Sequence, residues 1–133
     1  MINREDILDA FKKKFDEAKE LLNDTERVES LLQKLEKKLE TLPVIGEGLA
    51  VVPVMASLVR NYIRKEYTDI PVGSVIAIIA AFLYLISPID LIPDVAGPIG
   101  YVDDALVVAA CWKLVGSDVK KYEKWRDEHL NML

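Results

Sequence analysis

Four aspartates, Asp90, Asp94, Asp103 and Asp104, stand in "ISPIDLIPDVAGPIGYVDDA", within the most apolar region of the chain. A carboxylate is costly to bury, so each must be satisfied by its neighbours or held for a task. The task that suits several oxygen ligands in a small volume is binding of Mg²⁺, Ca²⁺ or Mn²⁺. Asp90 and Asp94 share a face if the turn between them is helical, and "VAGPIG" can fold Asp103 and Asp104 back toward them. The spacing matches no defined metal loop, and no histidine lies nearby. Local chemistry offers each carboxylate a structural job instead. Ser87 reads as an N-cap, Pro88 as the first helical residue and Asp90 as the third position of a capping box. Pro93 disfavours helix at Ile92, and Asp94 then caps or closes a turn. Asp103 and Asp104 follow Gly100 by three and four residues, which predicts a place in the first turn of the next long helix, facing its positive end. Capping and turn formation is the preferred reading. A divalent-cation site on the same four residues is the alternative.

Other reactive side chains are few. Cys111 is the sole cysteine, which excludes an internal disulfide and any multi-cysteine metal site. Its setting, "ALVVAACWKLV", is one where a free thiol acts as a small hydrophobe. The sole histidine, His129, lies near the C-terminus, and nothing local joins the two as nucleophile and base. No catalytic residue or cofactor is assigned, and an enzyme is not expected.

The bulk composition narrows the class. A chain of 133 residues fits one domain, and with 51% hydrophobic and 29% charged residues it has the makings of a core. The net charge of −5 argues against a nucleic-acid binder. The run Lys12, Lys13, Lys14 is flanked by acids and reads as a solvated helix face. The opening "MINREDILDAF" lacks the apolar core of a secretory signal.

The elements that must position these residues are helical throughout. Residues 1–42 carry 9 basic and 11 acidic side chains, with apolar positions at steps of three and four. Leu8, Phe11, Phe15, Ala18 and Leu22 form one stripe, and Val28, Leu32, Leu35, Leu39 and Leu42 another. Asn23, Asp24 and Thr25 interrupt them as turn and N-cap residues, predicting an antiparallel pair of amphipathic helices. "TLPVIGEG" is a breaker, and residues 43–133 form the hydrophobic part, the two parts being one folding unit. A third helix carries Pro53 early and Arg60, Arg64 and Lys65 at its end, where cations suit the dipole. A fourth begins near Pro71 and runs to Ser87. Residues 70–89 are 20 consecutive positions without a charge. A helix apolar on every face is either a central core element or a membrane span. The firm helical part, nearer 16 residues, reaches only about 24 Å, short of the ~30 Å hydrocarbon layer. A fifth helix is predicted from about Tyr101, capped by Gly116. A last one follows from Ser117, with Val119, Tyr122, Trp125 and Leu130 near one side, packed on the core or set at a membrane interface. The predicted fold class is all-α, a small multi-helix bundle with an amphipathic N-terminal hairpin around a central apolar helix.

At this point the sequence resembles a family. "LYLISPIDLIPDVAGPIGYVDDALVV", residues 83–108, is similar to the signature of the YkvA-type family, domain of unknown function DUF1232. That signature joins an apolar helix to S-P-x-D-x-I-P-D, a Pro/Gly loop and G-Y-x-D-D. Ser87, Pro88, Asp90, Ile92, Pro93, Asp94, Gly100, Tyr101, Asp103 and Asp104 occupy its places, and the resemblance extends over residues 62–115. Ala96-Gly97 departs from it, with bulkier apolar residues usual before the loop proline. The resemblance implies a small helical protein, often assigned to membranes, with no established activity or ligand.

Together these readings predict a non-enzymatic, membrane-associated protein, integral if residues 71–89 span. Membrane lipid is then a partner and the N-terminal part cytoplasmic. Were the segment to span, the positive-inside rule would put residues 60–65 on the cytoplasmic side. The alternative is a soluble cytoplasmic bundle acting as an interaction module, with a protein partner or a second copy, its hairpin covering the fourth helix. A divalent-cation-binding protein is third. Nucleic acid is excluded as a partner.

Overall fold

The computed structural model describes residues 4–40, 50–86 and 97–131, of which 4–7, 97–105 and 130–131 are described by their backbone alone. Five helices, and no strand, occur among the described residues: α1 (Arg4–Leu21), α2 (Thr25–Glu40), α3 (Val52–Ile63), α4 (Val72–Ile86) and α5 (Gly97–Asn131). The predicted hairpin is present. Asp24 ends the turn and caps α2, its carboxylate accepting from the Arg27 N–H at 3.3 Å.

The two stripes of the hairpin pack more on the rest of the protein than on each other. Phe11, Ala18 and Leu21 of α1 and Val28, Leu31, Leu32 and Leu35 of α2 are buried. The principal neighbour of α1 is α4, and α2 also reaches α4 and α3. Pro53, the second residue of α3, starts that helix rather than interrupting it, because its missing N–H would have no partner there.

At the centre lies α4. Val75, Ala77, Ile78, Ile79, Ala80, Ala81, Phe82 and Leu85 are buried, and each of the other four helices touches it. A helix apolar all round needs cover, and here protein supplies most of it, leaving Val72 exposed and Ile76, Leu83, Tyr84 and Ile86 half-buried. Burying a large aliphatic or aromatic side chain is worth about 1.5–3 kcal/mol, so this helix is the main apolar contributor to the core. Its 15 residues reach roughly 22 Å, and among the described residues no helix is long and apolar enough to cross a membrane. Of the two readings left open for residues 71–89, the described part, Val72–Ile86, fits the core helix.

The last helix also departs from expectation. It begins at Gly97, not Tyr101, and runs 35 residues through Gly116 without a break. Its buried residues Val108, Cys111, Val115, Val119 and Tyr122 continue at steps of three and four across Gly116-Ser117. Glycine costs a helix only about 1 kcal/mol, which continuous packing of this stripe outweighs. Gly116 is also shielded: a Cβ there would meet the Trp112 indole at 3.0 Å.

Candidate functional site

The sequence singled out the acidic tract, and the structure speaks to half of it. Ser87, Pro88, Asp90, Pro93 and Asp94 lie outside the described residues. Gly100, Asp103 and Asp104 lie within α5, on its backbone. Because α5 starts at Gly97, Gly100 is inside the helix and Asp103 and Asp104 occupy its second turn. The expected first-turn placement is therefore corrected, and the dipole, which acts chiefly over the first turn, favours them less than the sequence implied. Among the described residues no three His, Cys, Asp or Glu side chains are grouped to hold a metal ion.

A different polar constellation is assembled from α3, α5 and the link to α4. Tyr122 is fully buried, and its hydroxyl donates to Asn61 Oδ1 at 2.5 Å. A phenol has one proton to give, so Ser57 Oγ, 2.5 Å from the same hydroxyl, must be the donor on the other side. Asn61 in turn donates through Nδ2 to Glu66 at 3.0 Å, and its carbonyl accepts the N–H groups of Glu66 and Tyr67. Tyr67, Tyr122 and Trp125 form an aromatic cluster with ring centroids 5.0–5.9 Å apart, and His129 stacks on Trp125 at 4.9 Å. Burial, and next the charge of Asp69, raise the pKa of the Tyr67 phenol. The chain Ser57–Tyr122–Asn61–Glu66 gives each of its members a hydrogen-bond partner.

Ionic clips complete the frame. Arg60 meets Glu36 at 2.7 Å and Glu29 at 3.4 Å, and Arg64 meets Glu29 at 3.3 Å, tying α3 to α2. Burial pulls the Arg60 pKa down, but the hydrogen bond and charge of Glu36, with those of Glu29, outweigh it and leave it raised. Lys121 meets Asp69 at 2.8 Å, which raises the lysine's pKa through that hydrogen bond and charge. Ser74 donates to Asp118 at 2.6 Å, joining the start of α4 to α5. Lys38 of α2 donates to the carbonyl of Leu85 in the last turn of α4, where carbonyls lack helical partners.

The two other reactive side chains that the sequence singled out, Cys111 and His129, stand apart. Cys111 is buried, and burial pushes its thiol up to about 12, so it stays protonated at neutral pH. His129 stands 18 residues further along the same helix, about 27 Å away. The Val119, Tyr122 and Trp125 stripe packs on the core, with Trp125 half-buried. Leu130 belongs to the residues described by backbone alone.

The sequence reading missed the Tyr122 hub and the Lys38 contact, because both depend on partners 47 to 65 residues away. It also missed an open groove between α1 and α5, lined chiefly by apolar side chains.

Comparison with known proteins bears on the α4–α5 region. Residues 74–110 match the family model described as Protein of unknown function (DUF1232). The chain is 36% identical over 69 residues to "Uncharacterized membrane protein YkvA" of Bacillus subtilis (strain 168), a match covering 52% of this chain and 65% of that relative. The chain thus spans just under two thirds of the relative's length. No solved structure matches it significantly. Residues 74–110, from α4 through the acidic tract to the first part of α5, are thus similar to the DUF1232 family model, as the motif anticipated.

Proposed function

We propose that this chain is a non-enzymatic, membrane-associated helical bundle, held at the cytoplasmic face of a membrane with α4 as its core rather than its anchor. The observation that carries the reading is the enclosure of α4. The most apolar helix touches all four others and is too short to span, so attachment falls to the outside of the bundle. Kinship with a protein described as a membrane protein supports the membrane side of the reading.

Fractionation at native expression tests it. The chain is expected in the membrane pellet of a detergent-free lysate and is released by high salt or alkaline carbonate, as a peripheral protein would be. Retention through carbonate would favour an integral form. Recovery wholly in the soluble fraction would favour the interaction module. Deleting residues 1–24 removes the principal cover of α4 and is expected to make the remainder insoluble without detergent.

A further inference from the structure

The groove between α1 and α5 has a volume of about 580 Å³, in the range of ligand-binding clefts. Phe15 of α1 and Leu106, Ala109 and Leu114 of α5 supply its apolar lining. Leu114 is 61% exposed, the most exposed large hydrophobic side chain among the described residues. Charge at the groove has one sign. Its charged lining residues are Lys12 and Lys113, one from each helix, and neither has an ion-pair partner among the described residues. On a chain of net charge −5, an apolar trough edged by two unpaired lysines is a local inversion of the overall balance.

We propose that this groove is the face that docks on an anionic lipid bilayer, a proposal that rests on the membrane-associated reading above and names its surface. Exposed Leu114, with half-buried Phe15 beneath it, enters the boundary between headgroups and acyl chains. The lysine stems lie along the apolar walls and their ammonium groups reach anionic headgroups. A second copy fits less well. An isologous dimer through this groove would bring the lysines of both copies into one interface without a carboxylate from the groove to meet them.

The experiment uses the full chain, sedimented with phosphatidylcholine vesicles and with vesicles carrying added phosphatidylglycerol. Binding is expected to the anionic vesicles and to fall as salt is raised. The double variant Lys12→Glu/Lys113→Glu is expected to lose roughly tenfold or more in affinity for them, because each basic residue contributes appreciably at such a surface. Leu114→Ser is expected to weaken binding to vesicles without altering the thermal unfolding curve, since the side chain is already exposed. Unchanged binding by both variants would overturn the groove while leaving the membrane reading to the cell fractionation. Failure of the full chain to bind either vesicle would overturn the groove as well. A dimer in sedimentation that Leu114→Ser abolishes would assign the groove to a second copy. Binding of an acidic peptide in preference to vesicles would assign it to a protein partner.

Discussion

Tyr122 shows how a single side chain joins three parts of this molecule. Its ring belongs to the aromatic cluster with Tyr67 and Trp125, while its hydroxyl relays Ser57 to Asn61. A buried phenol is tolerated because both sides of its oxygen are occupied, and no buried side-chain polar atom among the described residues lacks a partner. Tyr122→Phe keeps the ring and deletes the relay, leaving Asn61 Oδ1 and Ser57 Oγ each short of one bond. The expected cost is about 1–3 kcal/mol, read as a lower urea midpoint with unchanged slope. A loss below a few tenths of a kcal/mol would mean that water replaces the phenol freely, and that the hub is a surface feature.

Helix ends carry the next level of information. The close of α3 is a Schellman motif: Glu66 N–H bonds the Asn61 carbonyl at 2.9 Å, and Lys65 N–H bonds that of Tyr62 at 3.0 Å. The motif needs a left-handed residue after the cap, and Lys65 fills it at φ 62°, a place glycine usually takes. Lys65→Gly is therefore expected to stabilise the protein by about 0.5–1 kcal/mol in chemical denaturation, against the usual penalty for introducing glycine. Destabilisation would show that the lysine side chain makes a contact worth more than the backbone relief. At Gly116 the same residue type has the opposite meaning. There the sequence signal for a stop was overridden, because the buried stripe of α5 stays in phase across it and Trp112 covers the gap.

Over the whole molecule, several ionisable groups lean the same way with pH. The folded-state pKa is raised for Cys111, Tyr67 and Lys121 alike. A raised value means the folded state holds its proton longer, so the stability each contributes is full below its unfolded pKa and lost as pH climbs through the folded one. For Cys111 the window runs from near pH 9 to about 12, and as much as about 4 kcal/mol is lost across it. Unfolding free energy measured from pH 8 to pH 12 is expected to decline, and Cys111→Ala is expected to flatten the decline between about pH 9 and pH 12. An identical slope in the variant would mean that the thiol is open to solvent. The same enclosure that raises the thiol hides α4, which is why the molecule's outer surface, and not its most apolar helix, becomes the candidate for contact with a membrane.

Local information alone determined a good deal here. The 3.6-residue stripes of residues 4–40, the turn residues Asn23 to Thr25 and the early Pro53 are local signals. They produced the all-α class and the existence of α1 to α4, although α3 ends at Ile63, short of the Arg64 and Lys65 end that the sequence implied. The family motif was legible because it is a contiguous string. Tertiary structure alone decided what that string could not encode. A charge-free helix reads the same whether lipid or protein surrounds it, since both are apolar; only the packing of four other helices around α4 chose protein. Likewise Ser57, Asn61 and Tyr122 are unremarkable as letters, and Lys12 and Lys113 are two lysines a hundred positions apart. Chain folding brings them into one hydrogen-bonded relay and one groove, because burial of the stripes sets which faces meet.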